Sequence, residues 1–144
     1  PRIDNPENLG AIIRIADVFG AAGLVVGPRC PDPLSRRVLR VSMGTALGVP
    51  VVASDDLAAA LERLEGELGF TLVATLCDPS DAEPLDAFKP PDRLALLLGN
   101  EGNGLDPEWA DRCERRLTIP MRLGAESLNV AVAAGILLYQ LSRS

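Results

Sequence analysis

The stretch Leu117-Thr118-Ile119-Pro120-Met121-Arg122-Leu123-Gly124-Ala125-Glu126-Ser127-Leu128-Asn129-Val130-Ala131-Val132-Ala133-Ala134-Gly135-Ile136-Leu137-Leu138-Tyr139 decides how the chain folds. An apolar strand end, Ile119-Pro120-Met121, runs into a polar loop. Glu126-Ser127-Leu128-Asn129 then opens a segment in which no residue from Val130 to Tyr139 carries a charge. A surface helix alternates an apolar and a polar face. This one is apolar all round and rich in Ala and Gly, so it is expected to be buried with other backbone packed closely against it. Polar residues at its mouth either cap it or face a ligand.

Working outward, short β-rich apolar runs alternate with helical patterns, which argues for a mostly parallel sheet flanked by helices. The strands are expected at 23–26, 50–53, 71–76, 94–98 and 116–119. The helices are expected at 9–19, 33–43, 57–67, 107–113 and 127–141. Asp55-Asp56 offers an N-cap for the third helix, and Asp106-Pro107 for the fourth, with Pro at the first helical position. Residues 79–91 read as a polar, Pro-rich crossing loop. Ligands of such a sheet sit at the carboxyl ends of its strands.

Composition narrows the chemistry. The chain has 144 residues, enough for one core and one domain. No apolar run reaches the ~20 residues of a membrane span, and no signal-peptide pattern follows Pro1-Arg2-Ile3-Asp4. Cys30, Cys77 and Cys113 are scattered and odd in number, which fits reduced thiols in a cytoplasmic protein. Histidine is absent, which removes Ser-His-Asp and Cys-His nucleophile systems, His general bases and His-containing zinc sites. The net charge of −6 is unusual for a protein that grips nucleic acid, whose footprint is a basic patch. Basic residues do cluster at Arg29, Arg36, Arg37 and Arg40. On the expected second helix they form either a solubilising face or a strip that contacts phosphate.

Two further blocks carry chemistry. Gly99-Asn100-Glu101-Gly102-Asn103-Gly104 follows the apolar run Leu94-Ala95-Leu96-Leu97-Leu98. Three glycines in so short a span let backbone turn tightly and approach a ligand. The spacing is neither a dinucleotide fingerprint nor a P-loop, and a plain tight loop would also explain it. Near the start stands Asn5-Pro6-Glu7-Asn8-Leu9-Gly10-Ala11-Ile12-Ile13-Arg14-Ile15-Ala16. Asn8 could be a cap and Arg14 a solvated side chain, yet the flanking isoleucines mark a helix that is mostly buried. Six residues apart, the two lie roughly 120° from sharing a helix face unless Asn8 precedes the helix proper.

In this order the three blocks resemble the three motifs of the SpoU (TrmH) family of RNA 2′-O-ribose methyltransferases, within the SPOUT superfamily, over nearly the whole chain. The resemblance implies an α/β fold with a C-terminal trefoil knot, which periodicity could not reveal. It implies S-adenosylmethionine as cofactor, S-adenosylhomocysteine as product, no metal, an RNA substrate (rRNA or tRNA) and a homodimer built on the first and last helices. Cofactor-binding roles then fall to Leu76, Leu98, Gly99, Glu101, Gly104, Ile119, Met121, Ser127 and Leu128, with backbone of Ile119 and Leu128 reading the adenine edge. Catalytic roles fall to Arg14, Asn8, Glu101, Ser127 and Asn129, Arg14 facing the target ribose. One departure stands at Ala131, where relatives often carry Ser. Many relatives add an N-terminal RNA-binding domain and a strand before the first motif, so residues 1–144 are expected to be the catalytic domain of a longer protein.

Two other function classes stay in view: a non-catalytic RNA-binding module that keeps the fold, and a generic α/β nucleotide-binding enzyme. The retained polar residues argue against the first, and the missing phosphate loops against the second.

Overall fold

The structure, a computed structural model, describes residues 2–100, 104–122 and 127–143. The first helix, α1 (Pro6–Val18), begins three residues earlier than the sequence pattern suggested. The Asn5 side chain accepts a hydrogen bond from the Glu7 N–H at 2.8 Å, and Pro6 fills the first helical position. Both are ordinary start signals; the apolar periodicity, which begins at Leu9, concealed them. After the short strand β1 (Leu24–Val26) come α2 (Arg36–Val41) and a 3₁₀ turn at Thr45–Leu47. The expected second helix was longer. Pro31, Pro33 and an Asp32 side chain bonded to the Leu34 N–H shape residues 31–35 as a turn instead.

The remaining elements are β2 (Val51–Ala53), α3 (Leu57–Gly66), β3 (Thr71–Leu76), β4 (Glu83–Pro84), β5 (Leu94–Leu97), α4 (Pro107–Asp111), β6 (Arg115–Thr118) and α5 (Val130–Leu141). Asp56 caps α3 through the Ala59 N–H at 3.0 Å, as expected. Asp106 stands at the start of α4 without a side-chain cap bond. The 79–91 crossing is not all loop. β4 pairs in parallel with β6, and Arg115 grips Glu83 with two hydrogen bonds of 2.8 and 2.7 Å.

Every strand pair is parallel, but the described strands form two sheets: β1-β2, and β4-β6-β3-β5. All residues of β1 and of β5 line one apolar cavity of about 590 Å³ between the sheets. Near-continuous apolar strands such as Leu94–Leu97 are the mark of parallel sheets covered on both faces. The expected knot is not traced, because the chain leading into α5 passes through residues 123–126, outside the described residues. No helix among the described residues is long and apolar enough to cross a membrane.

α1 is the hub of the helical layer and packs on both α2 and α5. Gly10 permits the first contact: a Cβ there would lie 2.9 Å from Val41 Cβ and 3.0 Å from the Val38 carbonyl oxygen. On the other side Leu9, Ile12 and Ile13 join Val130, Ala131 and Ala134 in a shared core. The last helix departs from expectation. It is buried on one face only, through Val130, Ala131, Ala134 and Leu137, while Val132, Ile136 and Tyr139 are 52%, 38% and 49% exposed. Nor does Gly135 sit against backbone, since its nearest neighbour is Ile15 Cδ1 at 3.7 Å from a built Cβ.

Candidate functional site

The carboxyl ends of β3, β5 and β6, three neighbouring parallel strands, open on one cavity of about 380 Å³. Leu76 closes the side from β3. Leu98, Gly99, Asn100 and Gly104 come from the turn after β5, and Ile119 and Met121 from the segment after β6. Ser127 and Leu128 stand opposite, and Val130, Ala133 and Leu137 of α5 form the floor. The structure therefore brings Leu76, Leu98, Gly99, Gly104, Ile119, Met121, Ser127 and Leu128 to a single pocket. Glu101, expected both to bind and to act, lies outside the described residues, as does Glu126.

The turn after β5 is tight for a geometric reason. Asn100 N–H donates to the Gly104 carbonyl and Gly104 N–H donates back to the Asn100 carbonyl, both at 2.8 Å. Gly104 adopts a left-handed φ of 69°. A Cβ on Gly99 would lie 2.1 Å from the Gly104 carbonyl carbon and 2.2 Å from the Leu105 nitrogen. Only glycine fits at position 99, because the returning backbone fills the space a side chain would need.

α5 begins at Val130, and its cap is Asn129, not Ser127. The Asn129 side-chain oxygen accepts from the Ala131 and Val132 N–H groups at 2.9 and 3.3 Å. Its amide nitrogen donates to Asn8 Oδ1 at 3.2 Å. Asn8 lies in the first turn of α1 and is buried. One side chain thus opens the last helix and joins it to the first. Ser127 is exposed at the pocket rim.

Three of the expected catalytic residues, Asn8, Arg14 and Asn129, do not line the pocket; Asn8 and Asn129 bond to each other, and Arg14 stands apart from both. Arg14 lies inside α1, so Asn8 and Arg14 point about 120° apart at about 100° per residue. Asn8 faces α5, whereas Arg14 is exposed and does not line the pocket. One turn on, Val18 is exposed as well, and Phe19 meets Tyr139 edge-to-face with ring centroids 5.9 Å apart. Arg14 therefore stands beside the open apolar stripes of α1 and α5. Of the basic cluster, Arg37 pairs with Glu7 and Arg29 with Asp106, while Arg36 and Arg40 are exposed.

Three polar features escaped the sequence reading. Cys77 and Asp78 extend the Leu76 wall. The N–H and hydroxyl of Ser80 hold the Asp78 carboxyl below its usual range. Asn100 Nδ2 donates to Asp4 Oδ2, a link across 96 positions that no local pattern announces. Cys113 has a different character. Burial, with Glu65 nearby, pushes its thiol up to about 11. It donates to the Trp109 carbonyl at 3.2 Å, a packing role.

Comparisons with known proteins agree with this geometry. Residues 1–139 match the model of the SpoU rRNA Methylase family. An uncharacterized tRNA/rRNA methyltransferase of Mycobacterium tuberculosis is 40% identical over 144 residues, covering 99% of this chain and 50% of the relative. The 23S rRNA (guanosine-2′-O-)-methyltransferase of Nitrosomonas europaea is 38% identical over 141 residues, covering 98% and 53%. Among solved structures, the SpoU methyltransferase AviRb from Streptomyces viridochromogenes in complex with AdoMet superposes with a TM-score of 0.88. It is 31% identical, covering 99% of this chain and 57% of that one. The chain spans about half the length of the curated relatives it matches. With the motifs in order, the strand-end pocket in place and the family model matched nearly end to end, the chain belongs to the SpoU rRNA methylase family.

Proposed function

We propose that residues 1–144 are the catalytic domain of an RNA methyltransferase that uses S-adenosylmethionine to methylate a ribose 2′-hydroxyl in rRNA or tRNA. The observation that carries the reading is the convergence of Leu76, Gly99, Ile119 and Leu128, from four separate segments, on one pocket. Its volume of about 380 Å³ falls within the roughly 300–1,000 Å³ typical of small-molecule sites. Its apolar side chains and open strand-end backbone suit a flat heteroaromatic base read by main-chain groups. AdoMet is the ligand named for the similar AviRb structure. Bound here, S-adenosylmethionine would supply a sulfonium methyl to in-line attack by the ribose oxygen, the hydroxyl proton leaving to phosphate or water.

The chain's own residues then divide the work. Gly99 and Gly104 bring backbone against the ligand; Ile119, Met121, Leu98 and Leu128 enclose it. Glu101 and Ser127 are assigned the polar end of the site. Asn8 and Asn129 fix α1 relative to the pocket floor through their 3.2 Å bond. Arg14 presents a planar guanidinium with two parallel donors, suited to clamping a phosphate or a developing alkoxide. A guanidinium stays protonated at neutral pH and is a poor base, so clamp is the better role.

Arg14 stands away from its own chain's pocket, and this favours a homodimer. Val18, Val132, Ile136 and Tyr139 expose apolar area on α1 and α5 beside Arg14, and a second copy would cover that area. The reading also carries the family's knotted passage into α5 and an accompanying RNA-binding region in the whole protein. Calorimetry with S-adenosylmethionine and S-adenosylhomocysteine tests the pocket directly. Absence of binding by folded protein overturns the assignment. Cofactor binding without methylation of rRNA or tRNA by the full-length protein would leave an RNA-binding module.

A further inference from the structure

Two polar links tie the start of α1 to segments that border the pocket. Asn8 in the first turn holds Asn129, which caps the floor helix α5. Asp4, two residues before α1, holds Asn100 of the glycine turn through its carboxylate. Arg2 steadies the same carboxylate with its Nε, at 2.9 Å from Oδ1 and 3.1 Å from Oδ2. Asn100 is well placed to transmit this. Its backbone makes both hydrogen bonds that close the turn onto Gly104, and its side chain reaches back to Asp4.

We infer that Asp4 is a positioning residue, a latch that fixes the glycine turn of the cofactor pocket relative to the helix that carries Asn8 and Arg14. The inference rests on the proposed function, because the turn is taken to be where methyl donor meets protein. Asp4 touches neither the pocket nor Arg14, so it acts only through Asn100. Its side chain is half exposed, so its loss costs the fold little, whereas a turn released from α1 lets donor and acceptor drift. Small misplacements at a reacting centre are costly in rate.

The chemistry of the pair allows a swap. Asp4→Ala removes the acceptor. Asn100→Asp sets two carboxylates against each other, which is worse than a missing bond. The double variant Asp4→Asn/Asn100→Asp restores one donor and one acceptor with the roles exchanged. The expected results, in full-length protein, are a threefold to tenfold loss of S-adenosylhomocysteine affinity for Asp4→Ala, the range of roughly one hydrogen bond. A larger loss is expected for Asn100→Asp, and recovery in the double variant.

Hydrogen exchange at the Gly104 amide gives a readout that needs no cofactor. It should accelerate in both single variants and return toward wild type in the swap, with an unchanged melting temperature in Asp4→Ala. Wild-type protein that fails to bind either cofactor refutes the proposed function, while the exchange data still judge the latch. Gly104 exchange that is the same in wild type and both single variants, or a swap no better than Asn100→Asp alone, overturns it.

Discussion

Two cavities among the described residues differ in more than size. The larger, about 590 Å³, lies between the two sheets and meets the sides of strands, with Leu57, Leu61, Leu94 and Val26 in its wall. The smaller, about 380 Å³, lies at strand ends and meets turns, caps and main-chain groups. Volume alone would choose the first. Chemistry chooses the second, because a ligand is recognised by a few placed polar groups within apolar walls, and strand ends supply those groups without any special side chain. The larger cavity has apolar surface but little to orient a ligand. Its residues answer to packing, whereas those of the smaller are the ones the proposed function assigns to recognition.

The contrast breaks if the two walls respond alike to substitution. The largest effect is expected for Leu61→Ala, which removes a buried side chain beside the inter-sheet cavity and should cost about 2–5 kcal/mol of stability. Denaturant titration reads this loss, and cofactor affinity of the folded fraction should be unchanged. Arg14→Lys is expected to do the reverse. Loss of the planar two-donor geometry should lower methyl transfer by roughly 10²–10³-fold, with melting temperature and cofactor affinity intact. Equal turnover by the variant and wild type removes Arg14 from the mechanism.

Gly99→Ala comes next, since even a methyl group would overlap the backbone of Gly104 and Leu105. Opening the turn by an amount worth about 1–3 kcal/mol should weaken cofactor binding by on the order of 10- to 100-fold in calorimetry. Tight binding by this variant would place the ligand elsewhere.

The smallest effect concerns neither cavity. Glu83, held by Arg115 through a bidentate pair, has its carboxyl below the ordinary range. Such a group stabilises the fold above its unfolded-state titration and loses that contribution as pH falls through its lowered folded-state value. Glu83→Gln should flatten the stability profile on the acid side of the usual carboxylate range. The Glu83 side of the pair is about half exposed and screened by solvent, so the change at neutral pH should stay under about 1 kcal/mol.

The parts of the fold legible in the sequence were those with local causes. β3 spans Thr71–Leu76 as its apolar pattern announced, and Asp56 caps α3 as its chemistry requires. β4 was illegible because two residues containing Pro84 carry no strand signal; pairing with β6 and the Glu83–Arg115 contact create it. In α5, uniform apolar composition suggested burial all round, but composition does not say how many neighbours a helix has. The gathering of the motif segments around one strand-end cavity was legible through motif order. The links Asn8–Asn129 and Asp4–Asn100 were not, because each joins residues about a hundred positions apart and neither changes the local pattern.

The Asn8–Asn129 bond has a consequence for how the protein is made. It closes a loop of 121 positions, and the helices it joins share one core. At roughly 5–20 residues per second of synthesis, about 6–24 s separate the appearance of these two asparagines at the ribosome. Throughout that interval Leu9, Ile12 and Ile13 lack the surface that α5 later provides. The α5-facing side of α1 therefore waits uncovered while the rest of this domain is made, and the strand-end cavity, floored by Val130, Ala133 and Leu137, closes only once α5 has emerged.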